Sequence, residues 1–152
     1  MILISHRGNL MGPNPETENH PDQIKKALSL GFEVEIDVWN VDGKWFLGHD
    51  EPQYSIDPIF LRNDALWCHA KNLEALHLMT RMGVHCFWHQ DDDYTLTTYG
   101  FIWTYPGKPY TSRSIAVKPK QIRDDEKLCY GVCSDWVLKF REELQNDQVR
   151  IV

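Results

Sequence analysis

The chain has 152 residues, 42% hydrophobic and 25% charged, with a net charge of -6, a composition expected of one globular domain spanning residues 1–152. The negative balance argues against non-specific binding to nucleic acid or to an anionic membrane, although a few local cations suffice for a small phosphodiester substrate. No run approaches the ~18 apolar residues of a membrane span, and the first residues lack the basic lead and cleavage site of a secretory signal, so a cytoplasmic location is expected.

In chain order, the apolar run 2–5 predicts a strand. Gly, Pro, Asn and Thr crowd residues 8–21 and mark a loop. A helix is expected from Pro21 to Leu30, opened by proline and stopped by Gly31, with Ile24, Ala27, Leu28 and Leu30 as its apolar stripe. Residues 33–39 predict a second strand, and Val41-Asp42-Gly43-Lys44 a hairpin turn into a third at 45–47. The stretch 51–63 is expected to be irregular apart from a helical turn near 58–61. A strand at 65–70 leads to a helix from Leu73 to Met82, capped by Asn72 and ended by Gly83. A strand at 85–88 follows, then extended segments at 94–98, 101–104, 114–117 and 130–134. A closing helix at 136–145 carries Val137, Phe140 and Leu144 on one face. The early alternation of strand and helix points to an α/β fold with parallel strands. Because the chain falls well short of the ~250 residues of a full eightfold barrel, the expectation is a compact, reduced (β/α) TIM-like barrel with several outer helices missing. The flank left bare would leave self-association open. Cys68, Cys86, Cys129 and Cys133 fit no zinc spacing and are expected to be buried thiols.

The chemistry gathers at predicted strand ends. In Glu33-Val34-Glu35-Ile36-Asp37-Val38 the side chains at i and i+2 share a face, so Glu35 and Asp37 lie about 7 Å apart along one side. A central parallel strand is covered on both faces, and buried carboxylates there cost several kcal/mol each, roughly, unless a cation compensates. Glu35 and Asp37 are therefore candidate metal ligands, with Glu33 structural. His6 ends the first strand and is followed by Arg7, whose planar fork suits phosphate oxygens. His49 follows the third strand. Two imidazoles beside a metal suit general base and general acid roles. His69 and Lys71 project to one side of their strand end, Lys71 toward phosphate and His69 as a ligand or hydrogen-bonding group. His89 and Trp103 are candidates for the substrate pocket; Trp39, Trp88 and Trp103 are otherwise expected to pack. Asp91, Asp92 and Asp93 are expected to be solvated.

These residues fall into motifs. His6-Arg7-Gly8, Glu18-Asn19, Glu35-Ile36-Asp37-Val38, Asp42-Gly43 and His49-Asp50 resemble the motifs of the glycerophosphodiester phosphodiesterase family, part of the phosphatidylinositol-phospholipase-C-like barrel superfamily. The likeness is densest from residue 4 to residue 50. Ala70-Lys71, Trp103-Thr104 and Gly131-Val132-Cys133-Ser134-Asp135 are more weakly similar to later motifs. The resemblance implies a shortened member: a barrel that hydrolyses a phosphodiester, with His6 and His49 as acid and base, Glu35 and Asp37 on Mg²⁺ or Ca²⁺, and Arg7 and Lys71 on the phosphate. His69 stands where the family has a third metal carboxylate. Imidazole suits Mn²⁺ or Zn²⁺ better than Ca²⁺, so the metal identity stays open. Two alternatives stand beside this. One is a catalytically degenerate barrel that binds a phosphorylated small molecule. The other is a different metallohydrolase using His6, His49, His69 and His89, disfavoured because no His-Glu-x-x-His helix is present.

Overall fold

The structure is a computed structural model that describes residues 1–119, 121–122 and 126–149, with the backbone alone for 147–149. Ten strands form one sheet: β1 (Ile2–His6), β2 (Glu33–Val41), β3 (Lys44–Leu47), β4 (Tyr54–Ile56), β5 (Leu66–Ala70), β6 (Cys86–Phe87), β7 (Tyr94–Leu96), β8 (Ile102–Thr104), β9 (Ser114–Val117) and β10 (Gly131–Ser134). Among the described residues three α-helices accompany them: α1 (Pro21–Ser29), α2 (Leu73–Met82) and α3 (Val137–Val149). The hydrogen-bonded path runs β4-β3-β2-β1-β10-β9-β8-β7, with β5 on β2 and β6 on β5. The pairs β6·β5, β5·β2, β2·β1, β1·β10, β10·β9 and β9·β8 are parallel. The pairs β2·β3, β3·β4 and β7·β8 are antiparallel.

The expected reduced (β/α) TIM-like barrel is not what forms. The molecule is a sheet-dominated half-barrel of mixed strand direction, in which helices do not alternate with strands. Helices join β1 to β2 and β5 to β6, as the sequence rhythm predicts. Between β6 and β9 the connections are residues 88–93, 97–101 and 105–113, shorter than the dozen or so residues a helical crossover needs. A hairpin and plain loops take the place of the expected helices. Among the described residues no helix is long and apolar enough to cross a membrane.

Local signals explain the helices that do form. Pro21 opens α1, and Gly31 follows its end at φ +84°. The Asn72 side chain accepts from the Ala75 amide at 3.0 Å, and Gly83 stops α2 in the left-handed region at φ +70°. The stretch expected to be irregular holds the short strand β4 as well as a 3-10 turn at Pro58–Arg62.

Strand alternation sorts the residues into two layers. Val34, Ile36 and Val38 of β2, Leu66, Cys68 and Ala70 of β5, and Cys86 of β6 form one core with Ile24 and Ala27 of α1 and Ala75 and Met79 of α2. Phe140 of α3 packs on Ala116 and Val132. The opposite face carries Ile4, Trp67, Phe87, Trp103, Ile115 and Cys133. Phe87 and Trp103 rings lie 4.6 Å apart and Trp67 and Trp103 6.0 Å, pairs worth roughly 0.5–1.5 kcal/mol each beyond their buried area. This apolar layer is the floor on which the site is built.

Candidate functional site

Two residues beyond five of the six floor residues, on the same strand or just past its end, comes a residue with chemistry; the exception is Ile115, followed by Val117. Ile4 is followed by His6, Trp67 by His69, Phe87 by His89, Trp103 by Tyr105 and Cys133 by Asp135. On β2 the same face carries Glu33, Glu35 and Asp37. Strand register completes the placement: His6 lies beside Glu35, and Asp37 beside His69.

Glu35 and Asp37 are buried, at 2% and 0% exposure. His69 Nδ1 lies 3.1 Å from Asp37 Oδ1 and 3.8 Å from Glu35 Oε1. Lys71 Nζ is 3.6 Å from Asp37 Oδ1, and Arg7 Nε is 3.0 Å from Asp37 Oδ2. Despite these neighbours Asp37 Oδ1 receives no aligned hydrogen bond; the approaches of His69 and Lys71 are electrostatic. Asp37 Oδ2 is satisfied by the Asn19 amide at 2.9 Å, and Asn19 Oδ1 accepts in turn from the Asp37 backbone N–H at 2.9 Å. The two carboxylates are pushed apart in acidity. Burial opposes ionisation of Asp37, but His69, Arg7 and Lys71 outweigh it and its pKa falls below the ordinary value. Burial and then the charge of Asp37 raise Glu35, and His6, His69 and Arg7 offset this only in part. Glu33 instead accepts the Trp67 indole N–H at 2.6 Å.

His6 is held from behind. Its Nδ1 donates to Asp135 Oδ1 at 2.7 Å, which leaves Nε2 facing the site, 3.8 Å from Glu35 Oε2. Asp135 also accepts from the Asn9 amide at 2.8 Å and has Lys118 Nζ at 3.9 Å. Burial works against its ionisation, yet the hydrogen bond and charge of His6 keep its pKa low. Asn9 donates to Glu18 at 2.9 Å as well, and Glu18 pairs with Arg7 Nη1 at 3.1 Å. The guanidinium is therefore hydrogen-bonded to Glu18 and ion-paired with Asp37 at the wall of the site.

A cavity of about 400 Å³ opens over this cluster, lined by His6, Arg7, Glu35, His49, His69, Lys71, His89, Trp103 and Lys118 among others. All nine residues singled out from sequence except Asp37 line it; Asp37 lies directly beneath, in contact with His69 and Lys71. His49 reaches the cavity from the β3–β4 turn. Its side chain is 41% exposed and paired with Asp50 at 2.7 Å. His89 has a buried Nδ1 without a partner, and burial, then the charge of His69, lower its pKa. Trp103 is 4% exposed and belongs to the floor.

Backbone strain concentrates here. Arg7, Asn19 and Lys118 have φ of 54°, 61° and 47°; the fourth non-glycine residue with positive φ, Asp42, sits in the hairpin turn. Such conformations cost roughly 1–3 kcal/mol each and cluster where function holds them.

Sequence reasoning gave no role to Asn9, Glu18, Asn19, Asp135 or Lys118. Asp135 had a signal: it comes directly after β10, at a strand end as His6 does in β1. Asn9 and Lys118 had none, because their positions depend on loop conformation. No family model, curated protein or solved structure matches the chain.

Proposed function

We propose that the protein hydrolyses a phosphodiester with a divalent cation held by Glu35, Asp37 and His69. One observation carries this: two buried carboxylates and an imidazole offer ligand atoms within 4.8 Å of one another, and Asp37 Oδ1 among them lacks an aligned hydrogen bond. Oxygen and imidazole donors buried at this density suit a dication, and the ionised form of Glu35, which burial and Asp37 oppose, is tolerated where a counter-charge arrives. When bound, the cation would neutralise charge developing on the phosphoryl oxygens.

The remaining roles belong to the chain itself. His6 Nε2, its ring fixed by Asp135, takes the proton from the attacking water. His49 gives a proton to the leaving alkoxide. Lys71, at the cavity wall, meets a phosphoryl oxygen, and Arg7 adds positive charge from a position locked by Glu18 and Asp37. The likeness of His6-Arg7-Gly8, Glu35-Ile36-Asp37 and His49-Asp50 to glycerophosphodiester phosphodiesterase motifs supports the same chemistry. A second reading, a module that holds a phosphorylated small molecule without turning it over, is favoured by His49, which among the described residues is anchored to the exposed Asp50 alone.

The test is alcohol release from a panel of phosphodiesters with Mg²⁺, Mn²⁺ and Ca²⁺ supplied in turn. His6→Ala and His49→Ala should each slow turnover by roughly 10²–10⁴-fold. Unchanged turnover in either variant removes that residue's role. Binding without alcohol release by the wild type supports the binding module instead.

A further inference from the structure

We infer that the ion held by Glu35, Asp37 and His69 is a transition-metal dication of the Mn²⁺, Co²⁺ or Zn²⁺ class, selected over Mg²⁺ and Ca²⁺ by His69 Nδ1. This rests on the dication site proposed above and specifies its occupant. His69 Nε2 lies 2.9 Å from the His89 carbonyl oxygen. A carbonyl only accepts, so Nε2 carries the hydrogen, and a ring that ligates a cation must do so through Nδ1. That atom faces Asp37 Oδ1 at 3.1 Å and Glu35 Oε1 at 3.8 Å.

The ring cannot easily turn away. It stacks on Phe87 with centroids 5.1 Å apart and planes 3° from parallel, and β5 register sets it beside Asp37. A carbonyl behind a ligating imidazole is the usual way to fix its tautomer and raise its basicity. Hard cations prefer an all-oxygen set, whereas imidazole nitrogen favours the later first-row dications. The competing structural role is a protonated His69 acting as counter-ion to Asp37. It is not required for charge: Arg7 at 3.0 Å and Lys71 at 3.6 Å already face that carboxylate. Nor does it give the buried Oδ1 an aligned hydrogen bond.

The experiment is calorimetric titration of chelator-treated protein with Mn²⁺, Co²⁺, Zn²⁺, Mg²⁺ and Ca²⁺, paired with pulsed electron paramagnetic resonance of the Mn²⁺ form. The wild type should bind Mn²⁺ or Zn²⁺ at least about tenfold more tightly than Mg²⁺ or Ca²⁺ and show coupling to an imidazole nitrogen. His69→Asp should keep a dication site, lose the nitrogen coupling and shift preference toward Mg²⁺ by roughly 10–100-fold. His69→Gln, neutral and of similar reach, should lose the coupling too, which guards against a misfolded aspartate variant. Mg²⁺ or Ca²⁺ binding as tightly as Mn²⁺, or nitrogen coupling that persists in both variants, overturns the selectivity and leaves phosphodiester hydrolysis standing. Failure of the wild type to bind any of the five ions overturns both.

Discussion

Glu35 is the residue at which the proposed function and stability conflict. It is 2% exposed, and burial together with Asp37 pushes its carboxyl above the ordinary range. Without a cation, its negative charge at neutral pH is a net burden on the fold. Glu35→Gln keeps the shape and keeps an oxygen for the Arg7 backbone N–H, which Glu35 Oε2 accepts at 3.3 Å. In chelator the variant should be more stable than wild type, by on the order of 1 kcal/mol, and should no longer gain stability from added dication. Thermal denaturation with and without Mn²⁺ measures both effects. A lower melting temperature in chelator would mean that His6, His69 and Arg7 compensate the charge in full. At this scale the sequence was informative where period-two alternation applies: Glu35 and Asp37, His69 and Lys71 all fall where spacing places them. It placed Asn19 in a motif but gave it no role, although its amide grips Asp37. A loop residue at φ +61° reaches its partner through a conformation that no spacing encodes.

At the scale of elements, helix ends were legible because caps are local chemistry, as Asn72 and Gly83 show. Strand β4 was not, since Tyr54–Ile56 is too short for a periodic signal. The β3–β4 turn carries the one catalytic candidate that no strand fixes. Gly48 has φ +152°, and a Cβ there would collide with the Glu51 carbonyl oxygen. Its own carbonyl accepts the Trp39 indole N–H at 2.7 Å. Gly48→Ala must therefore move the turn and His49 with it. The expected result is lower turnover with dication affinity unchanged, because Glu35, Asp37 and His69 stand on other strands. The strain should cost roughly 1–3 kcal/mol. Parallel calorimetry and rate measurements separate the two, and an equal fall in both would mean that the turn supports the cation site as well.

For the whole molecule, the alternation of residues 2–88 predicts a barrel only if it continues. It does not, because Pro106, Gly107 and Pro109 and the brief connections after β6 leave no room for helices. Local pattern cannot report that long-range closure has changed character. Acid sensitivity is also a global property, and His85 sets part of it. His85 is 4% exposed, meets Thr97 Oγ1 at 3.0 Å and stacks on Tyr99 at 4.3 Å. Burial lowers its pKa to about 4. In the unfolded chain a histidine titrates near ~6.5. Between those values the unfolded state takes up a proton that the native state refuses, so stability falls as pH falls through that window, by up to about 3 kcal/mol. Asp135 behaves oppositely: with a depressed pKa, its contribution is intact above the ordinary carboxylate value of ~3.9 and is lost only as pH falls further. His85→Phe should flatten the loss between neutral pH and about pH 4 while leaving the steeper loss below it. Urea titrations across that range test this, and an unaltered slope would assign the acid loss to other groups.

The two-layer arrangement of β2 has a consequence for assembly. A slip of a single residue against β1 and β5 would rotate Glu33, Glu35 and Asp37 into the greasy space beneath α1 and α2, and swing Val34, Ile36 and Val38 into the open basin. Three stranded anions would be intolerable there, so misaligned pairings are rejected by the very acids that unsettle the correct one. The acidic strand thus proofreads its own alignment.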